Sequence, residues 1–249
     1  MPAPASPIIV ALDFADARSA VHFARQLDPA QVRVKVGKEL FVSAGPAVVE
    51  QLQQLGFELF LDLKFHDIPN TVAKACLATA QLDIWMLNVH ASGGAIMMQQ
   101  VMQTLQTLPK RPLVTAVTVL TSMNDESLRL LNVSIPIHEQ VTHLAQLAQQ
   151  SGVDGVVCSA QEAQRLREQC GDDFLLVTPG IRLTNNNDDD QQRIMTPKKA
   201  LAAGSDYLVI GRPITQSNHP TQVIGSFTAC KPVPLVSVSG KPDHSKVVG

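Results

Sequence analysis

Eight short apolar runs rich in β-branched residues recur along the chain, separated by polar or glycine turns and amphipathic stretches. The runs cover residues 8–12, 32–36, 58–63, 84–89, 113–119, 155–158, 174–178 and 207–210. Helix-like stretches fall between them at 17–27, 47–55, 70–80, 94–108, 139–150, 161–169 and 197–203. Most of the runs are apolar without strict alternation, which is what parallel strands covered on both faces require. Eight strands alternating with helices over about 220 residues is the count for a barrel. The predicted fold class is therefore α/β, a single-domain (β/α)8 TIM barrel. A doubly wound open sheet is the alternative, but it would bring a glycine-rich turn after its first strand, and none follows Leu12-Asp13. The barrel is expected over 8–229, after a tail at 1–7 and before a flexible tail at 230–249 bearing proline, serine and lysine.

The polar residues gather where the strands end. The first run ends at Asp13 and the second carries Lys35 before Gly37. The third ends with Asp62 and Lys64, and the fourth with Asn88 and His90. Thr118 lies at the end of the fifth with Thr121 and Ser122 after it, Gly180 and Arg182 follow the seventh, and Gly211 and Arg212 the eighth. Barrel active sites are built on the face where the strands' C-terminal ends meet, so these residues converge on one rim.

The densest of these clusters is Asp62-Leu63-Lys64-Phe65-His66-Asp67-Ile68-Pro69-Asn70. Alternate strand residues share a face, so Asp62 and Lys64 are expected to point the same way. Asp67 comes after the strand should have ended. Charges at the exit of a buried strand are costly unless they are paired or have a chemical role; the competing reading is a solvated ion-pair cluster. His66 and His90 read as structural or orienting groups, Cys158 as core and Trp85 as packing.

Composition narrows the functions. The 249 residues are 45% hydrophobic and 4% aromatic, enough for a large aliphatic core. A net charge of −2 gives no basic footprint, so nucleic acid is disfavoured as a partner. No apolar run approaches the ~20 residues that span a bilayer, and the opening Met1 to Pro7 lacks the regions of a signal peptide. Cys76, Cys158, Cys170 and Cys230 show no paired spacing, and no histidine pair has metal-ligand spacing. A cytoplasmic, reduced protein is expected.

The seventh and eighth exits suggest phosphate, which barrels often bind there through backbone N–H groups of glycine turns. Gly180 and Gly211 let the chain approach an anion, and Arg212 can add a two-pronged contact. A turn with a surface arginine is the plainer reading of Gly-Arg. Between the exits lies the polar stretch 184–192, either an idle loop or a lid over a ligand.

Taken together, Val10-Ala11-Leu12-Asp13, Lys35-Val36-Gly37, the Asp62–Asn70 segment, Asn88-Val89-His90-Ala91, Val119-Leu120-Thr121-Ser122-Met123, Val177-Thr178-Pro179-Gly180-Ile181-Arg182 and Ile210-Gly211-Arg212-Pro213 resemble the orotidine 5′-phosphate decarboxylases of the bacterial type. The resemblance runs in order from about residue 8 to about 222. Its Asp-x-Lys-x-x-Asp element is shared with related barrels such as the 3-keto-gulonate-6-phosphate decarboxylases, which use magnesium.

The resemblance implies decarboxylation of orotidine 5′-monophosphate to uridine 5′-monophosphate, by a homodimer with shared sites and no metal or organic cofactor. It implies an alternating charge array of Lys35, Asp62 and Lys64, completed by Asp67 from the partner subunit, with Lys64 as the proton donor. Asp13 and Lys35 would hold the ribose hydroxyls, with Ile68 and Thr71 reaching that region across the interface. Thr121 or Ser122 would meet the pyrimidine. Arg182, Gln191, Gly211 and Arg212 would hold the phosphate and the closing loop. A magnesium-dependent sugar-phosphate barrel and a non-catalytic nucleotide-binding barrel are the alternatives. The second should lack a member of the array, yet all four are present.

Overall fold

The computed structural model describes residues 6–182 and 195–228. Its eight strands are β1 (Ile8–Ala11), β2 (Arg33–Gly37), β3 (Leu59–Phe65), β4 (Met86–His90), β5 (Leu113–Val117), β6 (Gly155–Val157), β7 (Leu175–Thr178) and β8 (Tyr207–Ile210). Each pairs in parallel with the next, and β8 pairs with β1 to close a barrel. Around it run α1 (Ala17–Ala24), α2 (Lys38–Ala44), α3 (Ala47–Gln54), α4 (Pro69–Ala80), α5 (Ala95–Leu105), α6 (Asp125–Leu130), α7 (Ile137–Gln150), α8 (Ala163–Cys170), α9 (Pro197–Ala202), α10 (Arg212–Thr215) and α11 (Pro220–Thr228). The expected single-domain (β/α)8 barrel is the fold observed, and all eight expected strands are found within two residues of their predicted ends.

Two apolar layers hold it together. One fills the barrel's interior with Ile9, Ala11, Phe60, Met86, Val117, Val157, Val177 and Val209. The other lies between strands and helices, and includes Val10, Val34, Leu61, Leu87, Val114 and Leu176. Neighbouring residues on one strand enter different layers, which is why the runs are apolar throughout. β6 approaches β7 closely at Gly155, where a Cβ would collide with the carbonyl oxygen of Leu175.

The N-terminal end of the barrel is plugged rather than open. Arg33 is buried there, with its Nε 2.9 Å from Glu58 Oε2 and its guanidinium 4.2 Å from the centre of the Trp85 ring. Trp85 in turn meets Tyr207 edge-on, with ring centroids 5.1 Å apart. Two further arginine clamps tie the loops at that end: Arg111 to Asp154 and Arg167 to Asp206, both at 2.7 Å. Asp154 also accepts from Val114 N, and Asp206 from Leu176 N, so each carboxylate staples its loop to a strand. Stability devices thus collect at one end, leaving the other for chemistry.

Local signals set the helix starts. Asp16 caps α1 by accepting from Ser19 N at 2.9 Å, Pro69 occupies the first turn of α4, and Asn124 caps α6 through Ser127 N. The helices α2, α6 and α10 were not expected from the sequence. The expected tails at 1–7 and 230–249 fall outside the described residues apart from Ser6 and Pro7, as does the whole 184–192 loop.

Candidate active site

The C-terminal ends of the strands surround a cavity of about 490 Å³. Its floor is apolar, formed by Ala11, Phe60, Val117, Val157 and Val209 from the interior layer. Its walls carry Asp13, Lys35, Asp62, Lys64, Thr121, Arg182 and Arg212. A wider hollow lies along the outer face of α1, beside Phe14, His22 and Gln51, away from the strand ends.

The charges form a continuous chain. Asp13 Oδ1 lies 3.3 Å from Lys35 Nζ, which lies 3.2 Å from Asp62 Oδ2. Asp62 Oδ1 accepts from Lys64 Nζ at 2.6 Å and from Asn88 Nδ2 at 2.7 Å. Two glycines leave room for the Asp13–Lys35 end of the chain. A Cβ at Gly37 would stand 3.3 Å from Lys35 Nζ, and one at Gly211 would stand 3.2 Å from Asp13 Oδ2.

Burial and charge pull against each other here. Burial alone would raise the Asp62 pKa, but the Lys35 and Lys64 ammoniums, with hydrogen bonds from Lys64 and Asn88, hold it well below the usual carboxylate range. Burial would lower the Lys35 pKa, and the Asp62 and Asp13 carboxylates outweigh it and raise it. Both groups are therefore charged at neutral pH. His90 goes the other way: burial and the charges of His66, Lys38 and Lys64 lower it to about 4. It is neutral at pH 7, and its ring lies tilted against that of His66, with centroids 5.4 Å apart.

Lys64 reaches the cavity by a route that simple alternation does not describe. β3 pairs Leu61 with Leu87 and Phe65 with Val89, so three β3 residues face one β4 residue, Asn88. This bulge puts Lys64 in the left-handed region, with φ of 53°. Asp62 and Lys64 do face the same cavity, but through a broken ladder instead of a regular strand.

Of the residues singled out from sequence, the structure gathers Asp13, Lys35, Asp62, Lys64, Thr121, Arg182, Gly211 and Arg212 around one cavity. Thr121 lines it, whereas exposed Ser122 does not. Asp67, Ile68 and Thr71 are exposed and stand outside this chain's own cavity; Asp67 Oδ1 accepts from Ile68 N at 2.6 Å. Gln191 lies outside the described residues. Two residues went unrecognised. Asn88 was read only as a polar strand end, and Gln216, after α10, lines the cavity without any signal beyond its nearness to Arg212. Among the described residues, no group of three or more His, Cys, Asp or Glu side chains could hold a metal ion, and no helix is long and apolar enough to cross a membrane.

Comparison with known proteins places this geometry. The model of the orotidine 5′-phosphate decarboxylase / HUMPS family matches residues 6–227. An orotidine 5′-phosphate decarboxylase of Alcanivorax borkumensis is 58% identical over 222 residues, covering 89% of this chain and 96% of its own. One from Sodalis glossinidius is 56% identical, covering 89% and 88%. The crystal structure of orotidine 5′-phosphate decarboxylase from Lactobacillus acidophilus superposes with a TM-score of 0.81 at 43% identity, covering 90% of this chain and 97% of that one. With its barrel, charge array and sequence all in agreement, the chain belongs to the orotidine 5′-phosphate decarboxylase / HUMPS family, as a carboxy-lyase.

Proposed function

We propose that this enzyme decarboxylates orotidine 5′-monophosphate to uridine 5′-monophosphate in the cytoplasm, the last step of UMP synthesis, without a metal. The observation that carries the reading is the Asp13–Lys35–Asp62–Lys64 chain above an apolar floor, with Arg182 and Arg212 on the same cavity.

Loss of CO2 from C6 of the pyrimidine leaves an electron pair in the ring plane, where the ring cannot delocalise it directly. A fixed ammonium stabilises that charge as it forms and then delivers a proton to the carbon. Lys64 fills that role, because its ammonium reaches into the cavity and is held by Asp62. Ionised Asp62 beside the substrate carboxylate adds repulsion that disappears as CO2 departs. At ~4 Å and an effective dielectric near 20, like charges interact by about 4 kcal/mol. That is a fraction of the ~20 kcal/mol by which the most proficient enzymes lower a barrier. Most of the lowering must therefore come from carbanion stabilisation and from binding energy remote from the reacting carbon.

The phosphate supplies that remote binding. Gly180, Arg182, Gly211 and Arg212 line the cavity, and Gln191 joins them by sequence position. Ile181 bridges to Met195, with Arg182 N donating to Met195 O at 3.0 Å, so both ends of the intervening loop are anchored at this rim. Asp13 and Lys35 take the ribose hydroxyls, and Thr121 takes the pyrimidine edge. The enzyme works as a homodimer in which Asp67, Ile68 and Thr71 complete the neighbouring site. Ile68 and Ile96, on the segments following β3 and β4, are 67% and 73% exposed, apolar surface of the kind that a subunit interface covers.

Equimolar release of CO2 and uridine 5′-monophosphate by the purified chain tests the reading. The phosphate assignment has its own test. Arg212→Ala should raise KM about 10- to 100-fold, the range of a lost charge-assisted hydrogen bond, with a smaller fall in kcat. A substrate truncated at the phosphate should react far more slowly with wild type and be nearly indifferent to the substitution. Equal damage to both substrates would show that Arg212 does not meet the phosphate.

A further inference from the structure

We infer that Asn88 is the positioning residue of the catalytic array, setting both the backbone of Lys64 and the carboxylate of Asp62 through one buried amide; its catalytic consequence rests on the proposed role of Lys64. Asn88 is fully buried on β4, opposite the bulge formed by Asp62, Leu63 and Lys64. A regular parallel ladder would give the Lys64 N–H a backbone carbonyl as partner. The bulge removes that partner, and a buried N–H left unpaired is costly. Asn88 Oδ1 replaces it, accepting from Lys64 N at 2.8 Å. The other end of the same amide donates through Nδ2 to Asp62 Oδ1 at 2.7 Å.

The two bonds fix the amide's orientation. Turning it over would set Nδ2 against the Lys64 N–H and Oδ1 against the Asp62 carboxylate, replacing two attractions by two repulsions. Asn88 therefore locks the left-handed turn at Lys64, whose φ of 53° is unfavourable for a side chain-bearing residue, to the carboxylate that holds the Lys64 ammonium. The turn decides where the lysine side chain begins and the carboxylate decides where it ends. Aspartate at this position would accept from Lys64 N equally well but would set a second carboxylate against Asp62. Leucine would fill the space and satisfy neither group.

Two substitutions and two readouts test this. Asn88→Ala should lower kcat about 100-fold, the scale of a catalytic group displaced by about 1 Å, with KM changed much less because phosphate and ribose contacts remain. Asn88→Asp should be worse than Asn88→Ala at pH 8. It should recover relative to wild type as pH falls, because a proton taken up by the new carboxyl restores a donor toward Asp62. A residue that merely supported the fold would give variants whose pH profiles run parallel to wild type. The second readout needs no substrate: exchange of the Lys64 backbone amide, followed by NMR, should accelerate in Asn88→Ala and stay slow in Asn88→Asp. Unchanged exchange together with parallel pH profiles would overturn the inference. If wild type fails to turn over orotidine 5′-monophosphate, the proposed function fails, and the exchange rates still decide whether Asn88 holds Lys64.

Discussion

Lys64→Ala should lower turnover of orotidine 5′-monophosphate about 100,000-fold or more while leaving the barrel folded. The substitution removes a general acid, worth roughly 100- to 10,000-fold, and a fixed charge at the developing carbanion, worth roughly 100- to 1,000-fold. The apolar floor of the cavity offers neither an acid nor a charge in its place. The fold is spared because Lys64 lines the cavity and leaves the packed layers intact, and Asp62 keeps Lys35 at 3.2 Å and Asn88 at 2.7 Å. Asp62 should thus remain ionised in the variant, and the thermal transition should move little. KM should change far less than kcat. A fall in kcat of tenfold or less would remove Lys64 from the chemical step.

The second large effect is a gain. Lys64→Ala and Asp67→Ala should each be nearly inactive alone, yet mixing them should restore about a quarter of wild-type activity once subunits exchange. Asp67 is exposed on its own chain and stands apart from the cavity that holds Lys64. Pro69 begins α4 just beyond it. If each site takes Lys64 from one chain and Asp67 from the other, a mixed dimer has one doubly damaged site and one intact site. Random pairing of equal amounts makes about half the dimers mixed, and half of their sites are intact. Exchange without recovery would place Asp67 within its own subunit and dissolve the shared site.

What could be read from the sequence followed from burial. Strands covered on both faces appear as unbroken apolar runs, so all eight were visible, and strand order then predicted which polar residues share a rim. The short helices were not visible. α2 starts at the very end of β2 with Gly37 as its cap, so no turn separates it from the strand, and α10, four residues long, holds little more than one helical turn. Asp62 and Lys64 were paired by an argument from strand alternation. The bulge that delivers Lys64 depends on how β3 lies against β4, which no local pattern records. Asn88 was hidden for the same reason: its partners are 24 and 26 residues away along the chain, on the opposite strand. Asp67 stands out in sequence, and Ile68 and Thr71 only through the family resemblance, but one chain alone does not bring them to a site.

The central claim is that this charge array decarboxylates orotidine 5′-monophosphate with side chains alone. The most direct measurement is the loss of that compound's ultraviolet absorbance with purified protein in excess EDTA, run beside Lys64→Ala. Rapid loss with wild type, unaffected by EDTA and abolished in the variant, is the expected result. No absorbance change with wild type, or activity that EDTA removes and a divalent metal restores, would contradict it.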